Sequence, residues 1–191
     1  MRNLPVVTSA LLGAGLATDS LLGPLVLDRM RFHVSPAAIT QLVGSEVVSL
    51  LVAAPMTFVA AILAQRRHPL WPVIALGPAL YSIYMNVQVV MANEFTRYAG
   101  NSEFFFPLHL ALVVLGWVVA LSAWSELNQQ PHPRIPRRLE VWLGGFMIAI
   151  GGLFLLGWSA SIADIYRGNI SQAYRADVTL FWLVRLMDLS T

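Results

Sequence analysis

The stretch Gln41–Ala64, QLVGSEVVSLLVAAPMTFVAAILA, decides the fold. It carries one ionisable side chain, Glu46, and runs unbroken into the polar tetrad Gln65-Arg66-Arg67-His68. A helix crosses the roughly 30 Å hydrocarbon core of a bilayer with about 20 mainly apolar residues. This run meets that length. Its apolar residues are continuous rather than alternating, which favours a helix over a strand of a transmembrane barrel.

The same pattern recurs on either side. Spans are expected at Leu4–Leu27, Gln41–Ala64, Leu70–Ala92, Phe104–Ser125 and Val141–Ala163, with a sixth segment from Val178 to the end. The breaks between them are short and polar: Asp28-Arg29-Met30-Arg31-Phe32-His33, the tetrad above, Asn93–Glu103, Glu126–Glu140 and Asp164–Asp177. The last segment is anomalous. Val178–Thr191 gives about 14 residues, roughly 21 Å of helix, and it contains Arg185 and Asp188. The expected fold is therefore all-α, a polytopic transmembrane bundle treated as one domain over residues 1–191. It has five full spans and a short sixth helix that reads as the start of a longer one.

Composition supports this. Of 191 residues, 57% are hydrophobic and 12% charged, about half the charged fraction of a soluble domain. The mean hydropathy is +0.67. All 12 cations are Arg, and the net charge of +2 gives no basic face for nucleic acid. There is no Cys, so disulfides and Cys-ligated metals are excluded. There is no Lys, so a retinal Schiff base is excluded too.

The N-terminal segment has features of a signal peptide: Arg2, an apolar run and a poor cleavage site at Gly15-Leu16-Ala17. Apolar sequence resumes at Leu21–Leu27, and the whole reads better as a span. The Arg66-Arg67 and Arg137-Arg138 pairs at span ends place the N-terminus in the cytoplasm of a cell-membrane protein. Trp71, Trp124 and Trp142 mark the same inner boundary. Small residues four apart, as at Gly13/Ala17 and Gly157/Ser161, suit close helix packing within the chain. Pro55, Pro72, Pro78 and Pro107 are positioned to kink or start helices. The loop Gln129–Arg138, rich in Pro and Arg, reads as an extended linker.

Ionisable groups within apolar spans are costly and point to function. Here they are Asp19, Glu46, His109, Arg185 and Asp188, with Asp164 at a helix end. Tyr81, Tyr84 and Asn86 add hydrogen-bonding groups on the third span. Together Glu46, Tyr81, Tyr84, Asn86, His109, Arg185 and Asp188 form the candidate ligand-binding or buried polar cluster. The competing reading is structural: Arg185 and Asp188, three apart, share a helix face, and Arg185 could hold Glu46 across helices. His109 is the only His within a span, so a bis-His haem has no support. A single contact from His109 to a haem or chlorophyll-like pigment stays open. The sequence has no HExxH, GxSxG or phosphate loop and names no catalytic or metal-binding residue.

From Gly44 to Leu189 the chain resembles a group of uncharacterised bacterial multi-pass membrane proteins of six to seven helices. The carrying residues are Gly44-Ser45-Glu46 opening a span that reaches Pro55, then Arg66-Arg67, Gly77, Tyr81, Tyr84 and Leu183–Leu189 around Asp188. Those relatives usually carry Asp where this chain has Glu46, often an aromatic where it has Asn86, and continue beyond its last residue. The resemblance implies topology and supplies no activity.

Three functions are expected in descending order. The first is a non-catalytic accessory subunit or scaffold, with the bilayer and other membrane subunits as partners. The second is a small-ligand, lipid or ion-handling protein with an outward polar cavity at Glu46, Arg185 and Asp188. The third is an intramembrane enzyme using Glu46 or Asp188 as acid or base.

Overall fold

The computed structural model describes residues 3–129 and 136–190. They fall into two compact units, Met1–Gln130 and Pro131–Thr191. Helix dominates both, and no strand occurs among the described residues. Arg2 and most of the Gln129–Arg138 linker lie outside the described residues.

The first unit holds four long helices, each starting and stopping for a local reason. α1 spans Leu4–Leu22, with Pro at its first turn where a missing N–H costs nothing. The span expected to reach Leu27 stops at Leu22 because Gly23-Pro24 turns the chain. Gly23 is extended, and Asp28 enters the left-handed region at φ 45°. α2 spans Pro36–Gln65, beginning earlier than the expected Gln41. Ser35 caps it, its hydroxyl accepting from Ala38 N–H at 3.3 Å, and Pro36 follows at the first position. A wide π turn at Ser49–Ala53 precedes Pro55. Pro55 cannot donate to Leu51, and the widened turn absorbs that missing bond.

α2 ends in a Schellman motif. His68 N–H donates to Leu63 O at 2.9 Å and Arg67 N–H to Ala64 O at 3.0 Å, with Arg67 at φ 54°. α3 spans Trp71–Met91 and α4 spans Phe106–Gln129, the latter opened by a 3₁₀ turn at Ser102–Phe105.

The four helices form a closed ring in which α1 packs on α2, α2 on α3, α3 on α4 and α4 back on α1. Neighbours are antiparallel. Gly13 faces Thr57 while Gly23 faces Glu46, and Gly116 faces Ala79 while His109 meets Asn86. The core is small-residue. Ala53, Ala54, Ala60, Ala75, Ala79, Ala120 and Ala123 are buried beside Leu12, Leu16, Leu112 and Val119. Large apolar side chains point outward instead, with Leu51 68% and Leu121 61% exposed. Water would reverse this distribution. In lipid, exposed Leu costs nothing, and Ala at the interface lets backbones approach. Hydroxyls within the helices bond back to their own carbonyls, as Thr8 to Leu4 O at 2.8 Å and Thr57 to Ala54 O at 2.7 Å.

In the second unit α5 spans Arg137–Tyr166, α6 Gln172–Ala176 and α7 Val178–Ser190. α5 ends in another Schellman motif, here with Gly168 at φ 82° supplying the left-handed residue. α6 occupies part of the expected Asp164–Asp177 break. α7 keeps the short length read from the sequence.

Among the described residues five helices are long and apolar enough to cross a membrane: Leu4–Leu22, Pro36–Gln65, Trp71–Met91, Ser102–Gln129 and Arg137–Tyr166.

Candidate functional site

Each helix of the ring contributes an ionisable or amide side chain to its interior, Asp19 from α1, Glu46 from α2, Asn86 from α3 and His109 from α4, beside buried hydroxyls such as Ser9, Thr57 and Ser82. Asp19, Glu46, Asn86 and His109 lie toward the end of the ring where the connections 23–35 and 92–105 meet.

His109 is 2% exposed. Its Nδ1–H donates to Asn86 Oδ1 at 2.9 Å. Asn86 is oriented in turn by its own Nδ2, which donates to Ser82 O at 2.9 Å. With Nδ1 as the donor, Nε2 of the neutral ring carries the lone pair. Nε2 is buried with no protein partner. Asp19 Oδ1 stands 3.5 Å from the same Nδ1 and is likewise buried without a hydrogen bond.

Glu46 reaches across to the start of the 23–35 connection, where its Oε2 accepts from Leu25 N–H at 2.8 Å. A side chain at position 23 would overlap the Glu46 carboxyl, so glycine is required for this approach. Tyr81 adds a short relay beside it. Its hydroxyl donates to Ser45 O at 2.8 Å, which spends its only proton. Ser49 Oγ–H, 3.0 Å away, therefore donates to Tyr81.

Between these groups lies a cavity of about 20 Å³, room for about one water. Asp19, Glu46, Ser45, Ser49 and Asn86 line it with Phe32 and Leu16. Among the described residues no three His, Asp or Glu side chains come together as a metal-ligand set.

The two connections lock onto one another above the cavity. His33 N–H donates to Asn93 Oδ1 at 2.8 Å, and His33 O accepts from Glu94 N–H at 2.7 Å. Asn101 joins Arg31 through both its backbone N–H and its side-chain oxygen. The His33 ring meets two acceptors, Tyr98 O at Nδ1 (2.7 Å) and Glu103 Oε2 at Nε2 (2.8 Å). Burial pulls the His33 pKa down, but the Glu103 and Tyr98 hydrogen bonds outweigh it and leave it above the ordinary histidine value.

Of the expected cluster, the ring brings together Glu46, Tyr81, Asn86 and His109, and adds Asp19. Tyr84 is half-buried on α3 and does not line the cavity. Arg185 and Asp188 belong to the second unit. There the Arg185 guanidinium donates to Ser161 Oγ at 2.6 Å and Phe181 O at 2.8 Å, and stacks over Trp158 and Phe181. Asp188 follows one turn later on α7 and is half-buried.

Nothing in the sequence marks Phe32, His33, Ser49, Asn93 or Glu103 as site residues. His33 and Glu103 come from breaks 70 residues apart, and nothing local signals their pairing.

No protein-family model matches the chain, nor does any curated protein or solved structure.

Proposed function

We propose that the chain is a multi-pass membrane protein, N-terminus cytoplasmic, whose four-helix unit takes up and releases protons at Asp19 and His109. One observation carries the reading: Asp19 Oδ1 and His109 Nε2 are both buried without hydrogen-bond partners, and Asp19 Oδ1 stands 3.5 Å from Nδ1 of the same ring. A purely structural polar network satisfies its members, because an unpaired buried polar atom costs about 1–3 kcal/mol. Among the described residues of the four-helix unit the unsatisfied buried side-chain atoms are Ser9 Oγ, Ser20 Oγ, Asp19 Oδ1 and His109 Nε2, and the last two belong to groups that bind protons.

The chemistry follows from the tautomer. A proton arriving at Nε2 makes the ring cationic, with Nδ1–H shared between Asn86 Oδ1 and the ionised Asp19. A proton on Asp19 instead leaves the imidazole neutral. Glu46, which also lines the cavity, is the second carboxylate able to exchange a proton through one water. The cavity's size suits a proton or water better than a larger ligand. This is the ion-handling reading, with the site moved from Arg185 and Asp188 to Asp19 and His109.

Infrared difference spectra of the reconstituted protein across a pH step test it. The expected result is a carboxylic C=O band that appears with acidification and is lost in Asp19→Asn. Identical spectra from the parent and Asp19→Asn count against it.

A second reading, an accessory subunit of a membrane complex, has its own support. Within its unit α5 buries none of its residues, and Trp142, Ile148 and Leu156 are exposed. Native mass spectrometry from lipid nanodiscs tests this. A defined hetero-complex supports it, and a clean monomer opposes it.

A further inference from the structure

Phe32 lines two cavities. One is the polar cavity just described. The other is a cleft of about 350 Å³ at the capped end, lined by Pro24, Met30, Val34, Ile39 and Tyr98, with Asp28 and Arg31 at its rim. The Asp28–Arg31 ion pair at 3.0 Å is well exposed, so the rim of this cleft is polar and accessible. Phe32 itself is buried, and its ring centroid lies 6.2 Å from that of His109. Phe32 is the side chain that the linings of the outer cleft and the polar cavity share.

The residue after Phe32 is tied down on every side. His33 is held by its backbone N–H, its carbonyl and both ring nitrogens, all to the 92–105 connection. A carbonyl and a carboxylate can only accept, so both ring nitrogens must donate, and the geometry is that of an imidazolium. Gly100 packs against the ring without a side chain, and Phe95 packs against it tilted by 48° at 4.8 Å between centroids. The titratable and charged groups around it are Glu103 on the 3₁₀ turn, Glu94, Arg97 and Tyr98 on the facing connection, and Asp28, Arg29 and Arg31 on its own segment. Of these, Glu103 is the carboxylate in contact with the ring.

We infer that Phe32 is the closed gate between the outer cleft and the polar cavity lined by Asp19, Glu46 and Asn86, latched by the charged His33 ring on Glu103 and Tyr98. A neutral His33 keeps only one ring N–H and must surrender one of its two bonds. The latch then loosens and Phe32 swings into the cleft beside it, opening the polar cavity to water. This deepens the proton-handling reading by giving its site a route and a control, and it rests on that reading for its purpose.

The test measures access, independently of proton movement. The chain has no Cys, so Ser49→Cys places a single thiol on the cavity wall. Its reaction with a small water-soluble methanethiosulfonate is timed in nanodiscs and divided by the rate for Asn169→Cys, an exposed control that cancels thiol ionisation. Adding Phe32→Ala is expected to speed Ser49→Cys about tenfold or more, since reaction tracks the open population. With Phe32 intact, the ratio is expected to rise severalfold from pH 6 to pH 8, and His33→Gln to remove that rise. Equal ratios with and without Phe32→Ala overturn the gate. A ratio flat with pH in the parent overturns the latch. Phe32→Leu serves if the alanine variant misfolds, with a smaller increase expected and no increase counting against the gate. Access is read at the Ser49→Cys thiol and proton uptake by the Asp19 infrared band, so the gate and the proton site fail separately.

Discussion

The Asp19 carboxylate and the His109 imidazole face each other across α1 and α4, 3.5 Å apart at Nδ1, a donor already committed to Asn86 at 2.9 Å. Asn86 therefore sets the tautomer and fixes which atom stays open. Asn86→Leu is expected to cost about 1–3 kcal/mol, because it strands a buried N–H. The double variant Asn86→Leu/His109→Leu is expected to lose less than the sum of the two singles. Unfolding in detergent followed by circular dichroism measures the cycle, and strict additivity would show that the pair is not coupled.

Gly23→Ala forces the Glu46 carboxyl away from Leu25 N–H. The expected destabilisation is about 1–3 kcal/mol, seen as a lower Tm. Gly44→Ala is the contrast. Its Cβ meets nothing within 4 Å, so helix propensity alone predicts a gain of about 0.5–1 kcal/mol. Thermal shifts of opposite sign are the signature.

Arg67 occupies a left-handed helix cap that suits glycine, as Gly168 shows at the end of α5. Arg67→Gly relieves a backbone cost of about 1 kcal/mol and is expected to raise Tm. An unchanged or lower Tm would mean that the Arg67 side chain contributes what the backbone loses.

His33 has its pKa raised in the folded protein. A raised pKa gives stability that is fully present below the unfolded value, about 6.5, and lost as pH climbs through the folded value. Glu94 and Asn101 N–H, which donate to His33 O and Arg31 O, are therefore expected to lose exchange protection on going from pH 6 to pH 8. Rates are corrected for intrinsic pH dependence, and His33→Gln is expected to flatten the profile.

The helices were legible because apolar length in lipid is a local property. The run at Gln41–Ala64 needs no partner to declare itself. Boundaries moved where a single residue acted: Gly23-Pro24 ended α1 early, and Ser35 with Pro36 started α2 early. The site was half legible. Glu46 and His109 announced themselves by cost, since a polar group in an apolar run demands a reason. Their pairings did not, because Asp19 meets His109 only once α4 closes the ring onto α1. The expected link to Arg185 came from charge alone, and Ser161, with a hydroxyl and no charge, is what the guanidinium binds in its own unit. His33 and Glu103 read as ordinary loop residues because each sits in a polar break, and the burial of His33 appears only once the two connections pack together.

Proton flux into liposomes carrying the purified protein and an internal pH dye tests the central claim most directly. With an imposed pH gradient and a potassium ionophore clamping the voltage, the parent is expected to acidify the lumen faster than empty liposomes, and Asp19→Asn and His109→Leu to fall to the empty-liposome rate. Flux equal in the parent and both variants would contradict proton handling at Asp19 and His109.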